Sequence, residues 1–173
     1  MAFHFIAVDG PIGAGKTTVV DKLAERLDAN KVLEDWSTNP FLRSSYDGKP
    51  GAAFQTELFF LLSRYRQQQE LLQRQLFKQA TFTDYVFEKS RLFAYLNLDD
   101  SELLIFDKLF SLLAEGMPRP DLVVYLQAPT DVLLSRVRTR GRPEEAGFSE
   151  EYMAEVNRAY NHYFFHYSAT PLL

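Results

Sequence analysis

The residues of this chain that could do chemistry begin at Gly10, where the stretch Gly10–Thr17 is GPIGAGKT. This spacing fits the phosphate-loop pattern G-x-x-x-x-G-K-[ST], with an apolar segment before it and an amphipathic helical pattern after it. Glycines let such a loop curl until its N–H groups point at an anion, and the following helix adds its N-terminal dipole. Lys16 is expected to reach the β and γ phosphates of a nucleotide, and the Thr17 hydroxyl to ligate magnesium. The predicted phosphate site comprises Gly10, Gly13, Ala14, Gly15, Lys16, Thr17 and Thr18.

A second group of candidate residues consists of arginines near the end of a helical pattern: Arg136, Arg138, Arg140 and Arg142. Arg136 and Arg140 are four residues apart, which places them on one face of a helix. Phosphoryl transfer spreads negative charge over the moving group, and guanidinium groups stabilise that charge well. The pattern predicts an arginine-rich lid in which Arg136 and Arg140 contact the nucleotide. A solvated basic surface is the alternative interpretation.

Short apolar segments separated by helical patterns must position these two groups. Segments typical of buried parallel strands lie at Phe3–Val8, Lys31–Leu33, Ala80–Thr83 and Leu122–Leu126. Helical patterns cover Thr17–Leu27, Ala52–Gln79, Ser101–Glu115, Thr130–Arg138 and Ser149–Tyr167. Strands that alternate with helices predict an α/β fold with an open parallel sheet flanked by helices. The length of 173 residues fits one domain over residues 1–173.

The composition argues against several classes of protein. A formal net charge of −4 gives no overall basic field for nucleic acid or an anionic membrane. The absence of cysteine excludes disulfides and thiolate metal sites. No apolar run approaches the roughly 18 residues that span a bilayer, and the N-terminus lacks the pattern of a secretory signal. We therefore expect a cytoplasmic protein without nucleic-acid or membrane partners.

Taken together, these features resemble the deoxynucleoside kinase family over nearly the whole chain. The resemblance is carried by GPIGAGKTT, VLEDW, NPFL, FQTELFFLLSRYRQ, LFA at residues 92–94, VVYLQAP and RVRTRGRPEE. It implies a five-stranded parallel sheet flanked by helices. It also implies a kinase that uses ATP and Mg²⁺ to phosphorylate the 5′-hydroxyl of a deoxynucleoside, usually as a dimer formed through a helix bundle.

The resemblance also implies roles for individual residues. Glu34 matches the carboxylate that acts on the 5′-hydroxyl, which must lose its proton to a base when it attacks phosphorus. Arg64 matches the arginine that lines the nucleoside pocket, and Phe93 matches an aromatic residue that packs on the base. Glu145 matches the acid that receives the sugar 3′-hydroxyl, with Tyr46 as its companion.

Catalysis itself is expected to involve a small set of charged residues. Arg140 and Arg142 match arginines of the family's lid. Together with Lys16 and Glu34 they form the predicted catalytic set.

Base choice is predicted to depend on Glu57, which stands where the family commonly has a glutamine that reads the base edge. Seven residues separate Glu57 from Arg64, about two helical turns, so both can face one pocket, whereas the rival Gln55 lies on a different face. An ionised carboxylate only accepts hydrogen bonds, and guanine offers it N1–H and the N2 amino group together. We therefore predict a purine substrate, with deoxyguanosine favoured over deoxyadenosine. A protonated Glu57 would instead admit adenine.

The chain departs from the family pattern in two places. Thr83-Asp84-Tyr85 stands where much of the family has an acid-Arg-Ser motif, so Asp84 is expected to supply the acid near magnesium. Thr83-Asp84-Tyr85 therefore lacks the arginine of that motif. Lys89, which stands where the family has an aspartate further along the chain, is expected to supply the missing positive charge. After TPLL the family continues into a fifth strand and a final helix, which are expected to be absent from this chain.

Two other functions remain open from the sequence. A nucleoside monophosphate kinase of the thymidylate kinase type would share the phosphate loop and the lid, but it needs a further basic site for the acceptor's phosphate. A nucleotide-binding switch protein would hydrolyse or sense ATP or GTP, although no guanine-reading N-K-x-D motif is present.

Overall fold

In the computed structural model, which describes residues 4–74 and 80–173, the strands form a parallel sheet. In chain order they are β1 (Phe5–Asp9), β2 (Asn30–Val32), β3 (Thr81–Thr83) and β4 (Leu122–Tyr125). The order across the sheet is β2-β3-β1-β4, and each of these pairings is parallel. The predicted α/β class and parallel sheet are therefore confirmed. Phe3, at the start of the first predicted strand, lies outside the described residues.

The central strand β1 is buried along its whole length. Its apolar run FIAV suits a strand that is covered on both faces, as parallel strands are. In the register of the sheet, Ala7 pairs with Thr83 on one side and with Val123 on the other. The carboxyl ends of β1, β3 and β4 therefore open onto the same edge of the sheet.

The helices follow the predicted alternation with strands. They are α1 (Lys16–Leu27), α2 (Leu42–Tyr46), α3 (Ala52–Arg74), α4 (Lys89–Asn97), α5 (Asp100–Ala114), α6 (Thr130–Arg140) and α7 (Glu150–Phe165). Each predicted helix is present, although residues 75–79 of the predicted Ala52–Gln79 helix lie outside the described residues. The sequence patterns do not predict α2 and α4. Across the described residues, none of the helices combines the length and apolar character that crossing a bilayer requires.

The chain divides into two compact units. The sheet unit contains Met1–Glu34, Gln73–Val86 and Arg119–Leu173, and the helical unit contains Asp35–Leu72 and Phe87–Pro118. The single domain expected over residues 1–173 stays a prediction.

Two buried apolar clusters stabilise the sheet unit. The first joins α1 to the sheet through Ile6, Val8, Val20, Ala24 and Phe82. The second joins α6 to α7 through Leu133, Leu134, Val137 and Met153, and the loop residues Ile12 and Ala14 pack against it. The second cluster therefore holds the loop after β1 against α6.

The last residues of the chain lie beside β4. Val123 and Leu172 form a parallel bridge, in which the Val123 N–H donates to the Pro171 carbonyl at 2.9 Å. The Tyr125 N–H donates to the Leu173 carbonyl at 2.8 Å. These contacts satisfy backbone groups on the side of β4 that faces away from β1.

The helical unit has its own apolar core, formed by Leu61, Phe87, Ala94, Leu98, Phe106 and Phe110. The turn between α4 and α5 is fixed by a capping box. In it, the Asp99 carboxylate accepts from the Ser101 and Glu102 N–H groups, each at 2.9 Å, and the Glu102 carboxylate accepts from the Asp99 N–H. The Ser101 hydroxyl also donates to the Asp99 carboxylate, at 2.7 Å, and this side-chain hydrogen bond is the largest cause that lowers the pKa of Asp99.

Candidate active site

The phosphate loop lies between β1 and α1, as the sequence predicts. Gly13 has a φ of 86°, and a Cβ at this position would lie 2.7 Å from the Leu133 carbonyl oxygen of α6. Glycine is therefore required both by the backbone conformation and by the close approach of α6. Gly15, with a φ of 94°, is the N-cap of α1, so the N-terminal N–H groups of that helix, among them those of Thr17 and Thr18, open onto the loop.

The Lys16 side chain lies across this loop. Its ammonium group donates to the Gly10 carbonyl at 2.7 Å and to the Pro11 carbonyl at 3.1 Å. These contacts place a positive charge where the N-terminal dipole of α1 already favours an anion. The loop, the helix end and Lys16 together can hold the phosphates of a nucleotide.

Asp84 lies just beyond the end of β3 and contacts two other predicted site residues, Thr17 and Glu34. Its Oδ2 atom accepts a hydrogen bond from the Thr17 hydroxyl at 2.7 Å, and its Oδ1 atom accepts one from the Glu34 N–H at 2.8 Å. Asp84 is buried, whereas Glu34 is half-buried. The structure thus brings the phosphate loop, the predicted base and the predicted metal acid together at one edge of the sheet.

A hydroxyl and a carboxylate fit the requirements of a magnesium site. Mg²⁺ prefers oxygen ligands, keeps several waters, and is usually held by one or two carboxylates together with substrate phosphates. The Thr17 hydroxyl and the Asp84 carboxylate present such oxygens beside the phosphate loop. These two residues would hold the ion together with the phosphates of the nucleotide.

Asp9 is a residue of this edge to which the sequence patterns assign no role. Its side chain is fully buried and accepts hydrogen bonds from the Gly10 N–H at 2.7 Å and the Val86 N–H at 3.0 Å. The Tyr160 hydroxyl of α7 donates to it at 3.3 Å. Burial raises the pKa of Tyr125, and the charge of Asp9 adds to that rise. An acid at the end of an apolar strand, directly before a glycine loop, is the sequence signal that points to it.

The predicted lid residues lie on α6 and just after it. The Arg136 guanidinium donates to the Gly13 carbonyl of the phosphate loop at 3.4 Å. The Nε atom of Arg140 donates to the Oε2 atom of Glu145 at 2.8 Å, and Arg142 Nη1 lies 3.5 Å from the other Glu145 oxygen. Burial, followed by the neighbouring charge of Arg140, lowers the pKa of Arg142. The two guanidinium groups therefore share one carboxylate.

The pairing of Glu145 bears on its expected role. The sequence resemblance implies that Glu145 receives the sugar 3′-hydroxyl, with Tyr46 as companion. In the structure Glu145 is paired with Arg140 and Arg142, and Tyr46 lies at the end of α2 in the helical unit with 40% of its surface exposed. The sugar contact stays a prediction for both residues.

In the helical unit, the predicted base-reading residues lie on the buried side of α3. Glu57 and Arg64 are 3% and 2% exposed, whereas the rival Gln55 is exposed. The Asn97 amide donates to Glu57 Oε1 at 2.8 Å, and Arg64 Nη1 donates to the Ser90 hydroxyl at 2.8 Å. The face that the seven-residue spacing predicts for Glu57 and Arg64 is therefore the buried one.

The predicted aromatic residue lies close to a buried cation. Lys89 is 6% exposed, and its ammonium nitrogen lies 5.7 Å from the centroid of the half-buried Phe93 ring. Sequence reasoning missed two partners in this unit, Asn97 and Ser90. Both come from α4, a helix that the sequence patterns do not predict.

Known proteins share sequence similarity with this chain over most of its length. A family model described as Deoxynucleoside kinase matches residues 6–173. A deoxyguanosine kinase of Bacillus subtilis is 36% identical over 156 residues, which cover 88% of this chain and 74% of the relative. A deoxyadenosine/deoxycytidine kinase of the same organism is 29% identical over 177 residues, covering 97% of this chain and 80% of the relative.

A solved structure shares the fold. The structure of deoxyadenosine kinase from M. mycoides with bound dATP matches with a TM-score of 0.87 and covers 98% of this chain and 89% of that one. Its sequence identity is 22%, so this likeness shows the fold.

The phosphate loop generates a binding prediction. Lys16→Ala should weaken the binding of MgATP by about 10- to 150-fold, since a hydrogen bond to a charged group contributes about 1.5–3 kcal/mol. Isothermal titration calorimetry measures the affinity. Lys22→Ala, at an exposed position of the same helix, is the matched control and should bind like the wild type. Equal affinities for the two variants would contradict the assignment of Lys16.

Proposed function

Because the chain belongs to the deoxynucleoside kinase family, we propose that it transfers the γ-phosphoryl group of ATP to the 5′-hydroxyl of a deoxynucleoside. One observation carries the proposal: Asp84 holds the Thr17 hydroxyl and the Glu34 backbone at the edge of the phosphate loop. The names of the B. subtilis relatives, a deoxyguanosine kinase and a deoxyadenosine/deoxycytidine kinase, support it.

The proposed transfer assigns a task to each residue of this edge. The 5′-oxygen forms a bond to the γ-phosphorus while its proton passes to the Glu34 carboxylate, and the bond from that phosphorus to the β-phosphate oxygen breaks to leave ADP. Lys16 and Arg140 stabilise the negative charge that spreads over the moving group. Thr17 and Asp84 would hold Mg²⁺ beside the phosphate loop, where the ion would neutralise negative charge on the nucleotide phosphates.

The lid is the second part of the proposal. Arg136 already contacts the phosphate loop, and Arg140 and Arg142 share Glu145 a short distance along the chain. We infer that Arg140 and Arg142 exchange this carboxylate for the transferring phosphoryl group, which offers more oxygens in the geometry that guanidinium groups prefer.

The base preference is the third part. Buried Glu57 accepts from the Asn97 amide, and an ionised carboxylate would accept equally well from N1–H and the N2 amino group of guanine. Arg64 lies on the same buried side of α3, and the Phe93 ring offers a stacking surface in the same unit. We propose a purine substrate with deoxyguanosine preferred over deoxyadenosine.

A dimer is the fourth part. α5 exposes large apolar side chains at helical spacing: Leu104, Ile105, Leu109 and Leu112. Leu104 and Leu112 are 62% and 71% exposed, values typical of a face that a second copy of the chain could cover. We infer that this face of α5 contributes to the homodimer that the family resemblance implies.

The two alternative functions are not favoured. A monophosphate kinase or a nucleotide switch would be expected to match other families, whereas the matching model and the relatives are deoxynucleoside kinases. The three functions also give different products, so the experiment below separates them.

Product analysis tests the function, and Glu34→Gln tests the mechanism. The wild type with MgATP should convert at least one of the four deoxynucleosides to its monophosphate, as measured by chromatography. Glu34→Gln should lower kcat by roughly 10²- to 10⁴-fold with little change in nucleoside affinity, because it keeps the shape and removes the base.

Exposed Glu25 offers a matched control, and Glu25→Gln should behave as the wild type. Consumption of ATP without a phosphorylated nucleoside would favour a switch protein. Phosphorylation of a deoxynucleoside monophosphate alone would favour the monophosphate kinase. Loss of nucleoside affinity with normal kcat in Glu34→Gln would make Glu34 a binding residue.

The lid predicts a difference between two arginines of one helix. Arg140→Ala should lower kcat on the order of 10²- to 10³-fold, the loss expected when one donor to developing charge is removed. The dissociation constant for the deoxynucleoside should change little, because the lost contact is made to the transferring group. Arg138→Ala, at an exposed position of the same helix, is the control. Similar kcat values for the two variants would support a solvated basic surface.

The base preference predicts the outcome of Glu57→Gln. This variant should shift kcat/KM towards deoxyadenosine or deoxycytidine by roughly 5- to 150-fold, the range that corresponds to about 1–3 kcal/mol for an unsatisfied buried polar group. Competition among the four deoxynucleosides measures the ranking. If Gln55→Glu changes the ranking and Glu57→Gln does not, Gln55 reads the base.

A further inference from the structure

The buried carboxylate of Asp9 is bonded to three separate parts of the sheet unit. It accepts from the N–H of Gly10 in the phosphate loop, from the N–H of Val86 after β3, and from the hydroxyl of Tyr160 on α7. Asp9 and Tyr160 are 0% and 1% exposed. A buried carboxylate is costly unless it is hydrogen-bonded, so its donors are held firmly in place.

Two of these donors, the N–H groups of Gly10 and Val86, belong to segments that also contact or carry groups used in the proposed reaction. The carbonyl of Gly10 is the acceptor for the Lys16 ammonium group, at 2.7 Å. Val86 stands two residues after Asp84, the carboxylate that holds Thr17 and the Glu34 backbone. The Asp9 side chain therefore links the phosphate loop to the segment that carries Asp84, and it is itself fully buried.

A second aspartate at the other end of β1 offers a comparison. The Asp121 carboxylate accepts from the N–H groups of His4 and Phe5 at 2.8 and 2.9 Å. It therefore fixes the start of the strand in the way that Asp9 fixes its end. The two residues have the same functional group and the same kind of backbone partner. Asp9, however, is buried at the edge with the phosphate loop, whereas Asp121 is exposed at the other end of β1.

We propose that Asp9 is a positioning residue for phosphoryl transfer, which holds the phosphate loop and the Asp84 segment at a fixed separation. The inference rests on the proposed function of this edge. Asp9 acts through Gly10 and Val86, and it touches neither substrate. Its removal is therefore expected to impair the use of MgATP and to leave the recognition of the deoxynucleoside intact.

Asp9→Asn tests this role, because the amide keeps the size of the side chain and turns one acceptor oxygen into a donor. We expect the amide nitrogen to take the Oδ2 position, where the Val86 N–H then loses its acceptor, because the Oδ1 position accepts from two donors. We expect kcat to fall by roughly 5- to 150-fold, the range for one unsatisfied buried group. The free Mg²⁺ concentration that gives half-maximal rate should rise, while KM for the deoxynucleoside stays unchanged.

A binding measurement gives a readout that does not depend on turnover. Calorimetry of the wild type should show that ATP binds more tightly with Mg²⁺ than with excess EDTA. In Asp9→Asn this advantage should shrink, because the segment that carries Asp84 loses its hydrogen bond through the Val86 N–H to the end of β1. Asp121→Asn is the matched control and should keep both the advantage and the kinetic constants.

A double-mutant cycle separates positioning from a general loss of stability. If Asp9 acts through Asp84, the variant Asp9→Asn/Asp84→Asn should be no slower than Asp84→Asn alone, so the two losses are not additive. Tyr160→Phe removes a single donor and should change the magnesium dependence in the same direction as Asp9→Asn, by a smaller factor. Tyr160→Phe therefore tests the role of Asp9 even if Asp9→Asn does not fold.

The outcomes distinguish this inference from the proposed function. A wild type that phosphorylates no deoxynucleoside overturns the proposed function. An active wild type whose magnesium dependence is the same in Asp9→Asn, Tyr160→Phe and Asp121→Asn overturns the role of Asp9. Additive losses in the double-mutant cycle also overturn it, because they show that Asp9 does not act through Asp84.

Discussion

The parallel pairing of β1 with β3 on one side and β4 on the other is the constraint on which the candidate site depends. Parallel strands end at the same edge of a sheet, so whatever follows each strand is brought to that edge. The phosphate loop follows β1, Asp84 follows β3, and the arginine-bearing helix α6 follows β4. A slip in register would separate the Asp84 carboxylate from the Thr17 hydroxyl without changing any residue. The short strands therefore position the residues of the candidate site, and they also contribute to the core.

The second constraint is the close contact between the phosphate loop and α6. Gly13 leaves no room for a Cβ against the Leu133 carbonyl, and Arg136 donates back to the Gly13 carbonyl from the same helix. A buried apolar cluster that includes Leu133 and Val137 stabilises this arrangement. The helix that carries the proposed lid is thus packed directly on the predicted phosphate loop. Interiors are close-packed, so a substitution that moves α6 is expected to move the loop as well.

Local pattern was sufficient to predict the α/β class, the phosphate loop and the positions of the strands, because each depends on neighbouring residues. Helical spacing also predicted that Glu57 and Arg64 lie on one face of α3. The hydrogen bonds that organise the site were not predictable in this way. Asp9 contacts Tyr160, which lies 151 residues further along the chain, and Asn97 contacts Glu57 from the last residue of α4. Such pairs are created by tertiary packing, which a single sequence does not display.

Glu145 gives the two arginines beside it a counter-ion of their own. The Arg140 and Arg142 side chains are 34% and 33% exposed in these pairs, and ion pairs in contact with solvent contribute only about 0–1 kcal/mol. An incoming anion must therefore displace the Glu145 carboxylate before it can pair with the two guanidinium groups. A singly charged ion offers little gain in such an exchange, whereas a group with several oxygens and more than one negative charge offers a large one. We therefore expect the carboxylate to disfavour small, singly charged anions at the two guanidinium groups.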